Sequence, residues 1–295
     1  MLAKLKNYFS LLRISNWPKN FFVLVAAVFS KHIFQEDYFP ILLNGFIAFT
    51  IASSAAYIFN DIADAKKDAI HPFKKNRPLA SGAVSKTGAV ILLIILSAIL
   101  VFISFQMSWS FIKMVWIYVT INVLYSIILK EIVIVDIFCI ASGFMLRVIA
   151  GAYLISVDVS NWLILTTIFL SLFLAIMKRR VEIASSPSAL EQRTVLKDYS
   201  LNFTDQIAAI TGSGVVLSYA LYSVAERTVK LFGSEDLVFT TLFVIFGIFR
   251  YMYLVYKKDK GENVIEVLYT DLPMMINLFL YGITIIYIIY FKKIF

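Results

Sequence analysis

The feature that most constrains this chain is a succession of apolar stretches, each near or above the ~20 residues that an α-helix needs to cross a hydrocarbon core. They fall at about 16–34, 40–60, 88–106, 109–129, 133–155, 161–177, 203–225, 236–256 and 272–291. With 60% hydrophobic and 16% charged residues, so much apolar surface has no place in a water-soluble domain. The pattern predicts an all-α, polytopic membrane protein of nine transmembrane helices, with residues 1–295 forming a single integral-membrane domain. The first run lacks a small-x-small cleavage site and follows several charges, so it reads as a retained helix.

Lysine and arginine fix the direction, because basic residues stay on the cytoplasmic side. With the amino terminus inside, that side collects Lys66, Lys67, Lys74, Lys75, Arg77, Lys86, Lys130, Lys178, Arg179, Arg180, Arg193 and Lys197. The opposite side receives Lys31, Arg227, Lys230, Lys292 and Lys293. This asymmetry places the segment 60–78 on the cytoplasmic side with the amino terminus, and the chain is expected to be integral to the cytoplasmic membrane. Anionic headgroups account for most of the net charge of +8, and nucleic acid is a poor partner without a soluble domain to carry a basic groove. Cys139 is the single cysteine, which excludes an intrachain disulfide, and neither His32 nor His71 has a second histidine at ligand spacing, which argues against zinc.

The chemistry concentrates where the second apolar run ends. Asn60-Asp61-Ile62-Ala63-Asp64-Ala65-Lys66-Lys67-Asp68 is followed by His71-Pro72-Phe73-Lys74-Lys75-Asn76-Arg77-Pro78. If the helix continues through it, Asp61, Asp64 and Asp68 share one face. Three bare carboxylates would repel one another, so a divalent cation and the phosphate oxygens it attracts suit them. Pro72 and Pro78 break the helix and Ser81-Gly82 supplies a second turn. A second long loop, about 178–202, opens on Lys178-Arg179-Arg180-Val181-Glu182; Ala189 to Asp198 reads as a short surface helix, and Lys197-Asp198-Tyr199 as a solvated loop or a lid.

Asn60-Asp61-x-x-Asp64-x-x-x-Asp68, the tail Arg77-Pro78-Leu79-Ala80-Ser81-Gly82 and nine helices together resemble the UbiA superfamily of intramembrane prenyltransferases. Four stretches look like its polyprenyl-phosphate phosphoribosyltransferase branch: Leu12-Arg13-x-x-x-Trp17-x-Lys19-Asn20, His71 to Pro78, Asp136 through Ser142-Gly143-Phe144-x-x-Arg147-x-x-Ala150-Gly151, and Lys178-Arg179-x-x-Glu182. Ordinary members usually carry a second aspartate-rich motif after the sixth helix, where this chain has Lys178, Arg179, Arg180 and a lone Glu182. A donor with an additional phosphate and a phosphorylated lipid acceptor both call for more fixed cation, which fits that replacement.

The resemblance implies a UbiA-like bundle with a cytoplasm-facing central cavity and Mg²⁺ as cofactor. It implies transfer of a 5-phosphoribosyl group from phosphoribosyl pyrophosphate to a polyprenyl, decaprenyl-like phosphate, and it is compatible with a homo-oligomer. Asp61, Asp64 and Asp68, with Asn60 as a neutral ligand, are then expected to hold Mg²⁺, while Lys74, Lys75, Arg77, Lys178 and Arg179 bind phosphate. Lys19 reads equally as an interfacial Trp-Lys anchor and as a contact of the acceptor phosphate. Arg147, ~16 Å along its helix from Asp136, needs a polar cavity or a partner at that depth. Tyr57 and Tyr125 are weaker candidates for the same cavity, Glu182 pairs with Arg179 or touches substrate, and Arg250 reads as a snorkelling residue. Two rival readings are a Mg-dependent prenyltransferase with an aromatic or glyceryl acceptor, and a transporter. The second is disfavoured because midplane charge is nearly confined to Arg147.

Overall fold

The computed structural model describes residues 2–70, 74–185, 194–258, 267 and 270–291. Among these residues the regular structure is helical throughout, and eight helices are long and apolar enough to cross a membrane. The chain divides into two compact units, Met1–Val28 with His32–Asp158, and Phe29–Lys31 with Val159–Phe295.

The first unit begins with α1 (Leu2–Leu11), a 3₁₀ stretch Ile14–Leu24 and all but the last residue of the short α2 (Val25–Phe29). The predicted first span is therefore not one continuous α-helix. Arg13 adopts the left-handed region (φ 53°, ψ 53°) and Pro18 lies inside the run, so the α-helical hydrogen-bond ladder is interrupted on both counts. Next comes α3 (Phe39–Ala69), which starts with Pro40 in its first turn, where a missing N–H costs nothing, and runs unbroken through the aspartates. Ala48, Ala52, Ser53, Ser54, Ala55 and Ala56 are all buried along it. Small side chains let neighbouring helices approach closely inside a bilayer, which makes α3 the axis of its unit.

Around α3 pack α4 (Lys86–Ser104), α5 (Trp109–Ile127) and α6 (Val135–Leu154). Ser85 caps α4 by accepting from Gly88 N at 3.1 Å. Of α4 only Ala89 and Leu100 are buried, while Ile91, Ile94, Ile95 and Phe102 project outward. An apolar face of that extent needs lipid as its solvent. The unit's core joins Val23, Phe49, Ala52, Phe111, Val115, Tyr118, Leu146 and Ala150. The 3₁₀ stretch lies hard against α6 at Gly151, where an added Cβ would stand 1.9 Å from the Val23 carbonyl oxygen.

The second unit contains α7 (Asn161–Ser185), α8 (Leu201–Val224), α9 (Glu226–Phe232), α10 (Thr241–Lys258) and α11 (Leu272–Ile286), the last continued by a π-turn over Tyr287–Phe291. Ser200 caps α8 through Phe203 N, and Asp271 caps α11 through Met274 N, each at 3.1 Å. Asp271 also takes a two-pronged ion pair from Arg250 at 2.9 and 2.8 Å, so Arg250, expected as a snorkelling residue, joins α10 to α11. Helix α7 extends past the predicted loop start, placing Lys178, Arg179, Arg180 and Glu182 on the helix. Of the expected surface helix, residues 189–193 lie outside the described residues and Thr194–Asp198 form a 3₁₀ turn. Tyr199 is buried and lies 6.0 Å from Phe203, so it is a packed residue here.

Candidate active site

The carboxyl-terminal turns of α3 carry a closed set of charges. Asp61 Oδ1 accepts from Arg13 Nη2 at 2.5 Å and from Arg77 Nη1 at 3.2 Å. The same Arg77 nitrogen donates to Asp68 Oδ2 at 2.6 Å, so two carboxylates two turns apart meet at one guanidinium. Asp64, on the flank of that face, accepts from Lys130 Nζ at 2.5 Å.

Each partner is held by local structure. Arg77 follows a single 3₁₀ turn at Lys74–Asn76, and its backbone is tied by Arg77 N to Lys74 O (2.9 Å) and Ser81 N to Arg77 O (2.9 Å). Leu79 and Val84 then anchor the loop in an apolar cluster with Leu11, Ile58 and Ala89, and Gly82 closes it at φ +76°, a conformation natural to glycine. Arg13 lies over the Tyr57 ring at 5.0 Å, and its chain is fastened to α3 by Ser54 Oγ, which donates to Leu12 O (3.1 Å) and accepts from Trp17 Nε1 (3.2 Å). Lys130 sits in the short 3₁₀ turn Leu129–Glu131 between α5 and α6.

Deeper in the unit, Arg147 is buried with each nitrogen engaged. Nε donates to Asn20 Oδ1 (2.9 Å), Nη1 to Gly143 O (2.7 Å) and Nη2 to Tyr118 Oη (3.1 Å). Asn20, itself buried, donates in turn to Thr50 Oγ1 (3.1 Å) and Ser53 Oγ (3.2 Å). Tyr118, Phe49 and Phe144 surround the guanidinium at 4.6, 5.6 and 5.7 Å, and ring faces supply the favourable field that a carboxylate otherwise would. Asn20 thus ties the 3₁₀ stretch to α3 and α6, and Lys19, its half-buried neighbour, travels with it.

Of the other expected residues, Asn60 and Tyr57 are half-buried on α3, one turn or less from Asp61, and Lys75 is exposed. Tyr125 is half-buried near the end of α5, and Lys74 is half-buried in the 3₁₀ turn before Arg77. Lys178, Arg179 and Glu182 belong to the second unit. There Arg179 is almost wholly buried and pairs through Nη1 with Glu182 one turn on, and Arg180 pairs with Asp205 at 2.6 Å while lying 4.2 Å over Tyr256. His71, Pro72 and Phe73 of the sequence motif lie outside the described residues. Arg13 and Lys130 were not foreseen as partners of the aspartates. Arg13 lies 48 residues before Asp61 and Lys130 lies 66 after Asp64, separations with no local sequence signature.

The donor set suits a hard divalent cation, since every candidate ligand atom is a carboxylate or amide oxygen. Among the described residues no three acidic or imidazole side chains are gathered closely enough to enclose an ion. Asp61 and Asp68 nonetheless converge on one point, the Arg77 nitrogen, so the same oxygens face a shared position that a cation would take.

Fold and site together define a polytopic helical membrane protein with a paired acidic and basic cluster at the end of one membrane helix. The chain belongs to the UbiA prenyltransferase family, whose model matches residues 20–270. It is 29% identical over 217 residues to the decaprenyl-phosphate phosphoribosyltransferase of Mycolicibacterium smegmatis, covering 72% of this chain and 68% of that one. It is 31% identical over 216 residues to the enzyme of the same name from Corynebacterium glutamicum, covering 72% and 65%. The chain thus spans about two thirds of the length of these curated relatives. A solved UbiA homolog from Archaeoglobus fulgidus bound to GPP and Mg²⁺ shares the fold, with a TM-score of 0.72 at 18% identity over 95% of this chain and 99% of that one.

Proposed function

We propose that the protein transfers the 5-phosphoribosyl group of phosphoribosyl pyrophosphate to a polyprenyl phosphate, releasing pyrophosphate. The observation that carries this reading is the cluster at the end of α3, where Asp61, Asp64 and Asp68 stand interleaved with Arg13, Arg77 and Lys130. Such a set offers carboxylate oxygen to a cation and nitrogen donors to a polyanion within a few ångströms. The relatives' names and the absence of a second aspartate motif in 178–202 favour the phosphorylated sugar over a plain isoprenoid diphosphate as donor.

In this mechanism the bond between ribose C1 and the pyrophosphate oxygen breaks, its electron pair leaving with pyrophosphate. An oxygen of the acceptor phosphate forms the new bond to C1. The acceptor is already anionic, so no general base is required and none is assigned. Asp61, Asp64 and Asp68, with the Asn60 amide oxygen, would hold Mg²⁺, which would lower the charge on the leaving group. Arg77, Lys74 and Lys75 take phosphoryl oxygens, Lys178 and Arg179 carry the further phosphate of the donor, with Glu182 orienting Arg179, and Lys19 takes the acceptor. Tyr57 and Tyr125 line the same space. In this reading residues 1–295 act as a single domain, with nine membrane crossings counting the segment 14–29 and with the site open to the cytoplasm. Positioning and electrostatic stabilisation supply the rate.

The test is donor choice. Purified protein with Mg²⁺ and decaprenyl phosphate is offered phosphoribosyl pyrophosphate or geranyl diphosphate, and the lipid product is identified by mass. A phosphoribosylated lipid is expected; turnover of geranyl diphosphate alone, onto an aromatic or glyceryl acceptor, refutes the reading.

A further inference from the structure

At the end of α3 each aspartate is already engaged by a cation of the protein, three carboxylates against Arg13, Arg77 and Lys130. The layering of this cluster is uneven. The side chains of Asp61 and Asp68 are 3% and 6% exposed, whereas those of Arg13 and Arg77 are 21% and 27% exposed. The two arginine side chains are therefore the more exposed members of these pairs, over two buried carboxylates. At Asp64 the order reverses, with the carboxylate 18% and Lys130 11% exposed.

This geometry sets a binding problem for either ligand on its own. A lone divalent cation that takes the point where Asp61 Oδ1 and Asp68 Oδ2 converge displaces two charge-assisted hydrogen bonds from Asp61 and one from Asp68, and leaves Arg13 and Arg77 without counter-charge beside it. A lone diphosphate that draws Arg13 Nη2 and Arg77 Nη1 to itself leaves two buried carboxylates unpaired. When both arrive together, each charge finds a new partner: the cation takes the carboxylates and the diphosphate takes the guanidinium groups.

We propose that Arg13 and Arg77 form an exchangeable cover on Asp61 and Asp68, handed from carboxylate to phosphoryl oxygen as the metal enters, so that metal and diphosphate bind as one linked unit. The proposal rests on the metal–diphosphate reading above and adds the order of events to it. Asp64, the most exposed of the three, is the first contact for the cation. The Tyr57 ring, 5.0 Å from Arg13, offers a face along which that guanidinium can shift while keeping part of its stabilisation. Because coupling between ligands is reciprocal, whatever factor diphosphate adds to metal affinity the metal adds to diphosphate affinity.

The experiment is a Mn²⁺ titration of the full-length protein in detergent, read by the loss of free-ion electron paramagnetic resonance signal. Wild type, Arg77→Gln and Asp61→Asn are compared, without and with excess inorganic pyrophosphate. Removing the cover frees one hydrogen-bonded position on each of two carboxylates, so Arg77→Gln should bind Mn²⁺ alone about ten-fold more tightly than wild type and lose most of the gain that pyrophosphate gives. Metal-alone affinity that is unchanged or weaker in Arg77→Gln overturns the exchange while leaving the site intact. A Mn²⁺ signal that Asp61→Asn does not alter removes the metal reading itself, and the exchange with it. Should Arg77→Gln fold poorly, Arg13→Gln gives a comparison of the same sign and smaller size, since Arg13 covers Asp61 alone. Wild type adds a further check, since Mn²⁺ with pyrophosphate should raise its melting temperature by more than the two separate shifts combined, and simple additivity contradicts the proposal.

Discussion

Replacing Gly151 by alanine tests how tightly the 3₁₀ stretch must sit on α6. The new Cβ would lie 1.9 Å from Val23 O and 2.8 Å from Val23 C. Relaxed carbon–oxygen contacts lie near ~3.3 Å, so the segment must retreat by about 1 Å or more, and a backbone carbonyl cannot rotate aside as a side chain could. Such a retreat stretches the Asn20–Arg147 bond of 2.9 Å and the Asn20 bonds to Thr50 and Ser53 at 3.1 and 3.2 Å. Overpacking costs about 1–3 kcal/mol, and a weakened buried hydrogen bond adds about 1 kcal/mol. The better helix propensity of alanine returns about 1 kcal/mol. A net loss of about 2 kcal/mol is expected. Gly282, in α11, has nothing within 4 Å of its would-be Cβ, so Gly282→Ala should instead stabilise by about 0.5–1 kcal/mol. Melting in detergent, followed by tryptophan fluorescence, should show shifts of opposite sign. Equal shifts for the two variants, or a Gly151→Ala protein as stable as wild type, would refute the close-contact argument.

Asp61→Asn keeps the shape of the side chain but removes the charge shared by Arg13 and Arg77; metal-dependent turnover should fall by about 100-fold or more in a radiolabelled-donor assay. Arg147→Met leaves Asn20 Oδ1, Gly143 O and Tyr118 Oη without their donor, and should cost about 2–4 kcal/mol of stability, tempered because a cation no longer has to be buried. Arg147→Lys, able to restore one bond, should melt between the two. Arg250→Lys loses one prong of the pair with Asp271 and should lower the melting temperature modestly, by about 1 kcal/mol or less, without changing donor KM.

Much of the architecture was legible because period and length are local properties. The three- and four-residue spacing of Asp61, Asp64 and Asp68 announced one helical face, and α3 carries all three. The apolar runs announced most of the membrane helices to within a few residues, but α3 and α7 run on about two turns through their charged ends, and in the first run Pro18 and the left-handed Arg13 turn a hydrophobic stretch into a 3₁₀ segment. Pairings across the chain were not legible. The depth of Arg147 could be counted along its helix, but nothing local indicated that its partners would be an asparagine, a backbone carbonyl and a tyrosine hydroxyl. Arg179 read as part of an open cationic grip, whereas its i,i+3 relation to Glu182 was the quieter signal, and the two are paired on α7. Arg250 read as a lipid-headgroup anchor because the capping role of Asp271 depends on a helix start 21 residues away.

The most direct measurement is the fate of the ribose carbons. Phosphoribosyl pyrophosphate labelled with ¹⁴C in the ribose is incubated with the protein, Mg²⁺ and decaprenyl phosphate, and label is counted in the organic phase for wild type and Asp64→Asn. The account predicts label in the lipid for wild type, released as a ribose phosphate by mild acid, and background counts for the variant. Label that never leaves the aqueous phase, or lipid labelling equal in both proteins, would contradict it.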